Sequence, residues 1–156
     1  PSRRGKRCCE ALMLAHGQGD GLVTGATRKS AYVLGLMNHV FDADSAHGAA
    51  GITALLHKGR IVLIGDTLVQ EWPDEEDLAT IAERAADVAR HFGLDPRVAF
   101  VSFSTFGYPV SERATKMALA PAVLERRGVN FEFEGEMTVD VALNPRAQAN
   151  YPFQRL

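Results

Sequence analysis

The sequence predicts an α/β domain built on a mixed sheet, and three observations carry that expectation. Helix-period and strand-like segments alternate along the chain. Two apolar runs flank a Lys58-Gly59 turn, the pattern of an antiparallel hairpin. A third run, "VAFVSFS" (98–104), is too apolar for a solvent-facing edge and reads as the central strand.

Taken in order, Cys8 to Ala15 is short and helix-like, with Ala11, Leu12, Leu14 and Ala15 apolar. "DGLVTGA" (20–26) reads as a brief buried strand that breaks at Gly25. Ser30 to Phe41 returns to helix, with Val33, Leu36, Met37 and Val40 at helical spacing. "DADSAHGAAG" (42–51) is a loop of small and turn-forming residues, and "ITALLHKGRIVLIGD" (52–66) supplies the hairpin. The clearest helix is 74–93, where Leu78, Ile81, Ala82, Ala85, Ala89 and Phe92 form one apolar stripe. Asp74 is placed to cap it with Asp77 three residues on, and Gly93 to stop it. After the central strand, Ser111 caps a helix running to Gly128, with a kink or early break expected at Pro121. "NFEFEGEM" (130–137) begins as an alternating strand, Phe131 and Phe133 on one face, Glu132 and Glu134 on the other. A short helix through Val141 and Leu143 follows.

The 156 residues make one ordinary domain, or a large part of one, with enough chain to bury a core. With 46% hydrophobic and 23% charged residues the balance is globular, and a net charge of −2 gives no field for nucleic acid or an anionic membrane. No apolar run approaches the roughly 20 residues that cross a bilayer, and no signal-peptide pattern stands at the start. Cys8 and Cys9 are adjacent, a spacing unsuited to a cross-link or a zinc site, so a reduced, cytoplasmic protein is expected.

The junction "VAFVSFSTFGYPVSER" (98–113) carries the main chemical signal. Hydroxyls of Ser102, Ser104 and Thr105, with backbone N–H groups at a helix start, suit a phosphate or an oxyanion. The same residues also suit plain capping of the strand and helix, and sequence leaves both open. "GQGDG" (17–21) precedes its strand and opens no helix, so it is no dinucleotide loop. "DADS" (42–45) lacks the later glycine and glutamate of a calcium loop. The five histidines show no metal-ligand spacing, so no metal site is expected. Asp66 ends the hairpin, and Glu136 with Asp140 follows the last strand. Such acids lie on the edge where α/β folds place ligands, though the latter pair equally suits a helix N-terminus.

Together "DGLVTGATR", the block from Gly65 to Gly107, "FEGEMTVDVALNP" and "YPFQRL" resemble the phosphate acetyl/butyryltransferases. In particular they resemble the phosphotransacetylase-like C-terminal domain of bacterial NADP-dependent malic enzymes, from about Glu10 to Leu156. The resemblance implies a three-layer α/β/α, isocitrate-dehydrogenase-like fold, with residues 1–156 corresponding mainly to the second lobe. The family's N-terminal lobe and closing C-terminal segment would lie largely outside the chain. It further implies an acyl-CoA and phosphate cleft, with binding positions at Thr24, Gly25, Thr27, Arg28, Ser102, Ser104, Thr105, Gly107, Tyr108 and Glu136. Were the chain an active acyltransferase, Ser102, Ser104, Asp66 and Asp140 would be the catalytic candidates.

Three departures from the family pattern point the other way. Phe106-Gly107-Tyr108-Pro109 replaces a small, glycine- and serine-rich loop, Gly35 stands where an arginine is common, and Gln70 stands where Asn is usual. The resemblance therefore implies a regulatory and oligomerisation domain that binds acetyl-CoA (or CoA) and is not itself catalytic. NADP, a divalent metal and the oxidative decarboxylation of malate to pyruvate would belong to the rest of the parent protein. The alternative is an active phosphate acetyltransferase making acyl phosphate and CoA. A homo-oligomer is expected, with no nucleic-acid or membrane partner.

Overall fold

A computed structural model describes residues 3–24, 29–41, 49–66 and 69–156. The chain divides into two compact units, Pro1–Ala49 and Ala50–Leu156.

The first unit holds two helices, α1 (Arg3–Ala15) and α2 (Ser30–Val40). Helix α1 begins five residues earlier than the apolar pattern suggested, and Ala11 is buried. Helix α2 buries none of its residues, and Gly35 lies exposed within it with open space where a Cβ would stand. The strand expected over 20–26 is not formed across its described part. Residues 20–24 are irregular and Val23 is fully exposed, because no ladder partner stands beside them among the described residues. Most of the 42–51 loop lies outside the described residues.

The second unit begins with the hairpin, β1 (Ile52–His57) against β2 (Arg60–Gly65), paired from Ile52↔Gly65 to His57↔Arg60. Lys58 and Gly59 both take positive φ, 47° and 78°, which is the twist-matched two-residue turn that the Lys-Gly pair predicted. Both faces of this ribbon are apolar, and Leu55, Leu56, Ile61 and Ile64 stay exposed. At Gly65 the ribbon meets the next helix. A Cβ built there would lie 2.8 Å from Ile81 Cγ2.

That helix, α3 (Glu75–His91), forms as its punctuation dictates. Asp74 accepts from the Asp77 N–H at 2.8 Å and Asp77 returns the bond at 3.3 Å, a reciprocal box that satisfies two end donors. At the other end Gly93 turns left-handed at φ 71°, and the Leu94 N–H reaches back to the Ala89 carbonyl at 3.0 Å. The stripe buries Leu78, Ile81, Ala82 and Ala89 as expected, with Ala79 and Ala86 added, while Phe92 is exposed.

Strand β3 (Arg97–Val101), helix α4 (Glu112–Arg127) and strand β4 (Glu132–Met137) then make a parallel βαβ unit. Ser111 caps α4 by accepting from the Ala114 N–H at 3.1 Å, and Gly128 ends it at φ 65°. Pro121 does not break α4, which is continuous through it. The core joins Leu78, Ala79 and Ala82 of α3 to Phe100 of β3 and to Ala120, Val123 and Leu124 of α4. Val98, Phe131 and Phe133 pack against it. Burying Leu124 or Phe100 stabilises the fold by about 1.5–3 kcal/mol each. Arg127 ties α4 to Glu76 and Glu83 of α3, and these partners hold its guanidinium above its ordinary pKa against the opposing effect of partial burial.

The single mixed sheet expected from the sequence is not formed among the described residues. The antiparallel and parallel pairs are two separate two-stranded sheets, and β3 has β4 as its sole ladder partner among the described residues. Two short helices, α5 (Val139–Leu143) and α6 (Pro145–Gln148), and an irregular tail close the chain.

Candidate functional site

The C-terminal ends of β3 and β4 lie side by side, and the sequence-flagged turn sits across them. Strand β3 stops at Val101, and the Ser102 N–H donates to the Met137 carbonyl at 2.9 Å. From there the turn is fastened to β4 bond by bond. The Phe106 N–H donates to the Glu136 carbonyl at 2.9 Å, and the Gly107 N–H to Glu136 Oε1 at 2.8 Å. The Ser104 hydroxyl donates to Glu136 Oε2. Thr105 Oγ1 accepts from the Thr138 N–H at 3.2 Å and lies 3.1 Å from the Thr138 hydroxyl. Within the turn, Thr105 and Tyr108 exchange backbone bonds at 2.9 and 3.3 Å.

Ser104 and Glu136 are the two buried polar residues at this point, 0% and 1% exposed. A carboxylate so deep is tolerated because each oxygen has a donor. Glu136 reaches inward because the ladder skips it: Phe100 pairs with Gly135 and Val101 with Met137. This bulge reverses the outward parity that Glu132 and Glu134 set. Gly135 makes it possible, since at φ 138° its missing Cβ would stand 2.7 Å from the Phe100 carbonyl oxygen.

What the turn still presents is limited. Ser102 Oγ accepts a long bond, 3.4 Å, from the Ser104 N–H, and its own proton has no acceptor among the described residues. The Phe103 N–H likewise has none there. Phe103 and Tyr108 turn their rings outward, 61% and 82% exposed. No lysine or arginine occurs in 98–111 or 129–145. The acid at the rim is Asp140, fully exposed in the first turn of α5. The Thr138 side chain hydrogen-bonds it and holds its carboxyl below the ordinary range.

The remaining sequence candidates lie on other segments of the chain. Asp66 accepts from the backbone N–H groups of Gly51 (3.3 Å), Val69 (3.0 Å) and Gln70 (2.8 Å), so it gathers the chain around the end of the hairpin. Thr24 is exposed in the first unit, while Gly25, Thr27 and Arg28 lie outside the described residues. Sequence reasoning missed one contact: the tail rings of Tyr151 and Phe153 close on Phe106 at centroid distances of 5.3 and 4.8 Å. Tyr151 and Phe153 lie 45 and 47 positions beyond Phe106, too far for any periodicity to have revealed it.

A model of the family described as phosphate acetyl/butaryl transferase matches residues 4–156. The chain is 45% identical over 146 residues to an NADP-dependent malic enzyme of Rhizobium meliloti (strain 1021), covering 94% of this chain and 19% of that protein. It is 29% identical over 135 residues to a phosphate acetyltransferase of Bacillus subtilis (strain 168), covering 86% of this chain and 42% of that one. Among solved structures, EutD phosphotransacetylase from Staphylococcus aureus superposes with a TM-score of 0.79 at 27% identity. The match covers 96% of this chain and 47% of that chain. The chain thus spans about a fifth of the malic enzyme and less than half of either transferase.

Proposed function

The chain belongs to the phosphate acetyl/butaryl transferase family, and from that premise we propose that it is a regulatory and assembly module which recognises acetyl-CoA without transferring its acyl group. Its setting is a cytoplasmic NADP-dependent malic enzyme, in which NADP and the divalent metal serve a malate-decarboxylating region outside these 156 residues. The chain corresponds mainly to the second lobe of the family's domain.

One observation carries this reading. Two of the three hydroxyls that would grip phosphate, with the Gly107 amide, are already engaged, Ser104 and Gly107 by Glu136 and Thr105 by Thr138. Phosphate needs several donors and a cation, preferably a bidentate arginine, and neither flanking segment supplies one. The Ser102 hydroxyl, the Phe103 amide and the outward rings of Phe103 and Tyr108 suit a thioester and its apolar arm instead. The exposed hairpin residues Leu55, Leu56, Ile61 and Ile64 suit an assembly surface.

Titrating acetyl-CoA into the full-length protein while following malate oxidation tests the proposal. A change in rate or in malate affinity is expected, because an effector acts only through unequal affinity for two states. A flat response counts against it. Sedimentation with and without CoA reads the assembly role.

The uncommitted Ser102 proton favours a second reading, an active acyltransferase with Ser102 at the thioester and Asp140 at the rim. Thiol release from acetyl-CoA in the presence of phosphate decides between them. Robust turnover would promote the enzyme.

A further inference from the structure

Phe106 stands at φ 48°, in the left-handed region that residues with side chains seldom occupy. Its own N–H and that of Gly107 run to the carbonyl and the carboxylate of the same residue, Glu136. The backbone conformation of Phe106 therefore decides whether both bonds form together. Around its ring the tail builds an enclosure: Tyr151 tilted at 49°, Phe153 edge-on at 69°, and those two rings 6.1 Å apart at 85°. Inclined contacts of this kind are the ones aromatic quadrupoles favour. The tail is fixed in turn, by the Tyr151 N–H on the Gln148 carbonyl at 2.8 Å and by Arg155 on Glu125 of α4 at 3.2 Å.

We propose that Tyr151 and Phe153 are positioning residues. By clasping Phe106 they hold residues 102–108 in the conformation that presents Ser102 and the Phe103 amide to an acyl-CoA. Docking of the tail and affinity for the ligand are then linked, each favouring the other. The inference rests on the acyl-CoA reading of the turn. Phe153 is 64% exposed, so its contribution lies in directing the turn rather than in filling the core.

Amide hydrogen exchange on the full-length protein, without ligand, tests the clasp. Phe153→Ala should speed exchange at Phe106 and Gly107 by about tenfold while leaving β3 and α3 unchanged. Phe153→Tyr should restore protection and Phe153→Leu should not. Full rescue by leucine overturns the aromatic geometry, and unaltered exchange in Phe153→Ala overturns the clasp itself. Calorimetric titration with acetyl-CoA then tests the linkage. Phe153→Ala should weaken binding about tenfold with an unchanged melting temperature. In a Phe106→Gly background, where glycine takes positive φ unaided, the same substitution should add nothing. Equal affinity of wild type and Phe153→Ala overturns the linkage. A wild type that does not bind acetyl-CoA overturns the functional reading instead, and the exchange result still decides the clasp.

Discussion

Asp66 and Glu136 occupy comparable places, each a carboxylate at the C-terminal end of a strand, yet they fasten different things. Asp66 collects backbone donors three and four residues ahead of it, with Gly51 from the start of the hairpin, at a partly buried corner. Glu136 reaches partners 29 and 32 residues earlier in the chain and is buried. The first shapes its own loop. The second joins two strands and sets the turn where a ligand would arrive. An acid at a strand end is therefore no guide to catalysis until the destination of its lone pairs is known.

Glu136→Ala should be the most damaging change. It strands the Ser104 hydroxyl in the interior and leaves the Gly107 N–H without its partner at a part-buried edge, at a cost of about 3 kcal/mol in urea unfolding. Glu136→Gln, which keeps the shape and one acceptor, should cost roughly a third of that. Equal losses for the two would mean that volume, not hydrogen bonding, governs the joint. Gly135→Ala comes next, at about 2–3 kcal/mol, because its methyl group would meet the Phe100 backbone in a conformation that disfavours a Cβ. Asp66→Ala, with donors that water can partly reach, should cost about 1–2 kcal/mol. A larger loss there than at Glu136 would reverse the comparison.

Asp140 marks the small end of the series. Its carboxyl is held below its unfolded value by the Thr138 side chain. Whatever stability this adds is present above the unfolded pKa and disappears as pH falls through the lower folded one. Following its side-chain resonance by NMR in Thr138→Val should show the midpoint moving up toward an ordinary aspartate. No movement would remove Thr138 as the cause.

The sequence made the locally encoded parts legible. Asp74, Gly93, Ser111, Gly128 and the Lys58-Gly59 turn each act within a few residues, and each did what its chemistry dictates. The failures needed distant information. Residues 20–24 have strand-like composition, but a strand exists only beside a partner, and none is there among the described residues. Glu136 read with Asp140 as an acid at the ligand edge or a helix N-terminus, and neither reading included a break in the ladder that turns it inward. The glycine before it was the available clue, since an isolated glycine inside a strand pattern suggests a bulge. At the candidate site the hydroxyl motif was visible, but not that Glu136 and Thr138 would already hold Ser104 and Thr105. The turn's dependence on Tyr151 and Phe153 had no local trace at all.

Gly65 indexes the ribbon to its helix by what it lacks. The Ile81 methyl group fits where a side chain would otherwise project, and sliding β2 by a single step would offer isoleucine or aspartate to that notch. Either side chain would collide with Ile81 at that point, so close packing against α3 favours the observed register. One missing methyl group acts as a proofreading gauge for the alignment of six cross-strand pairs.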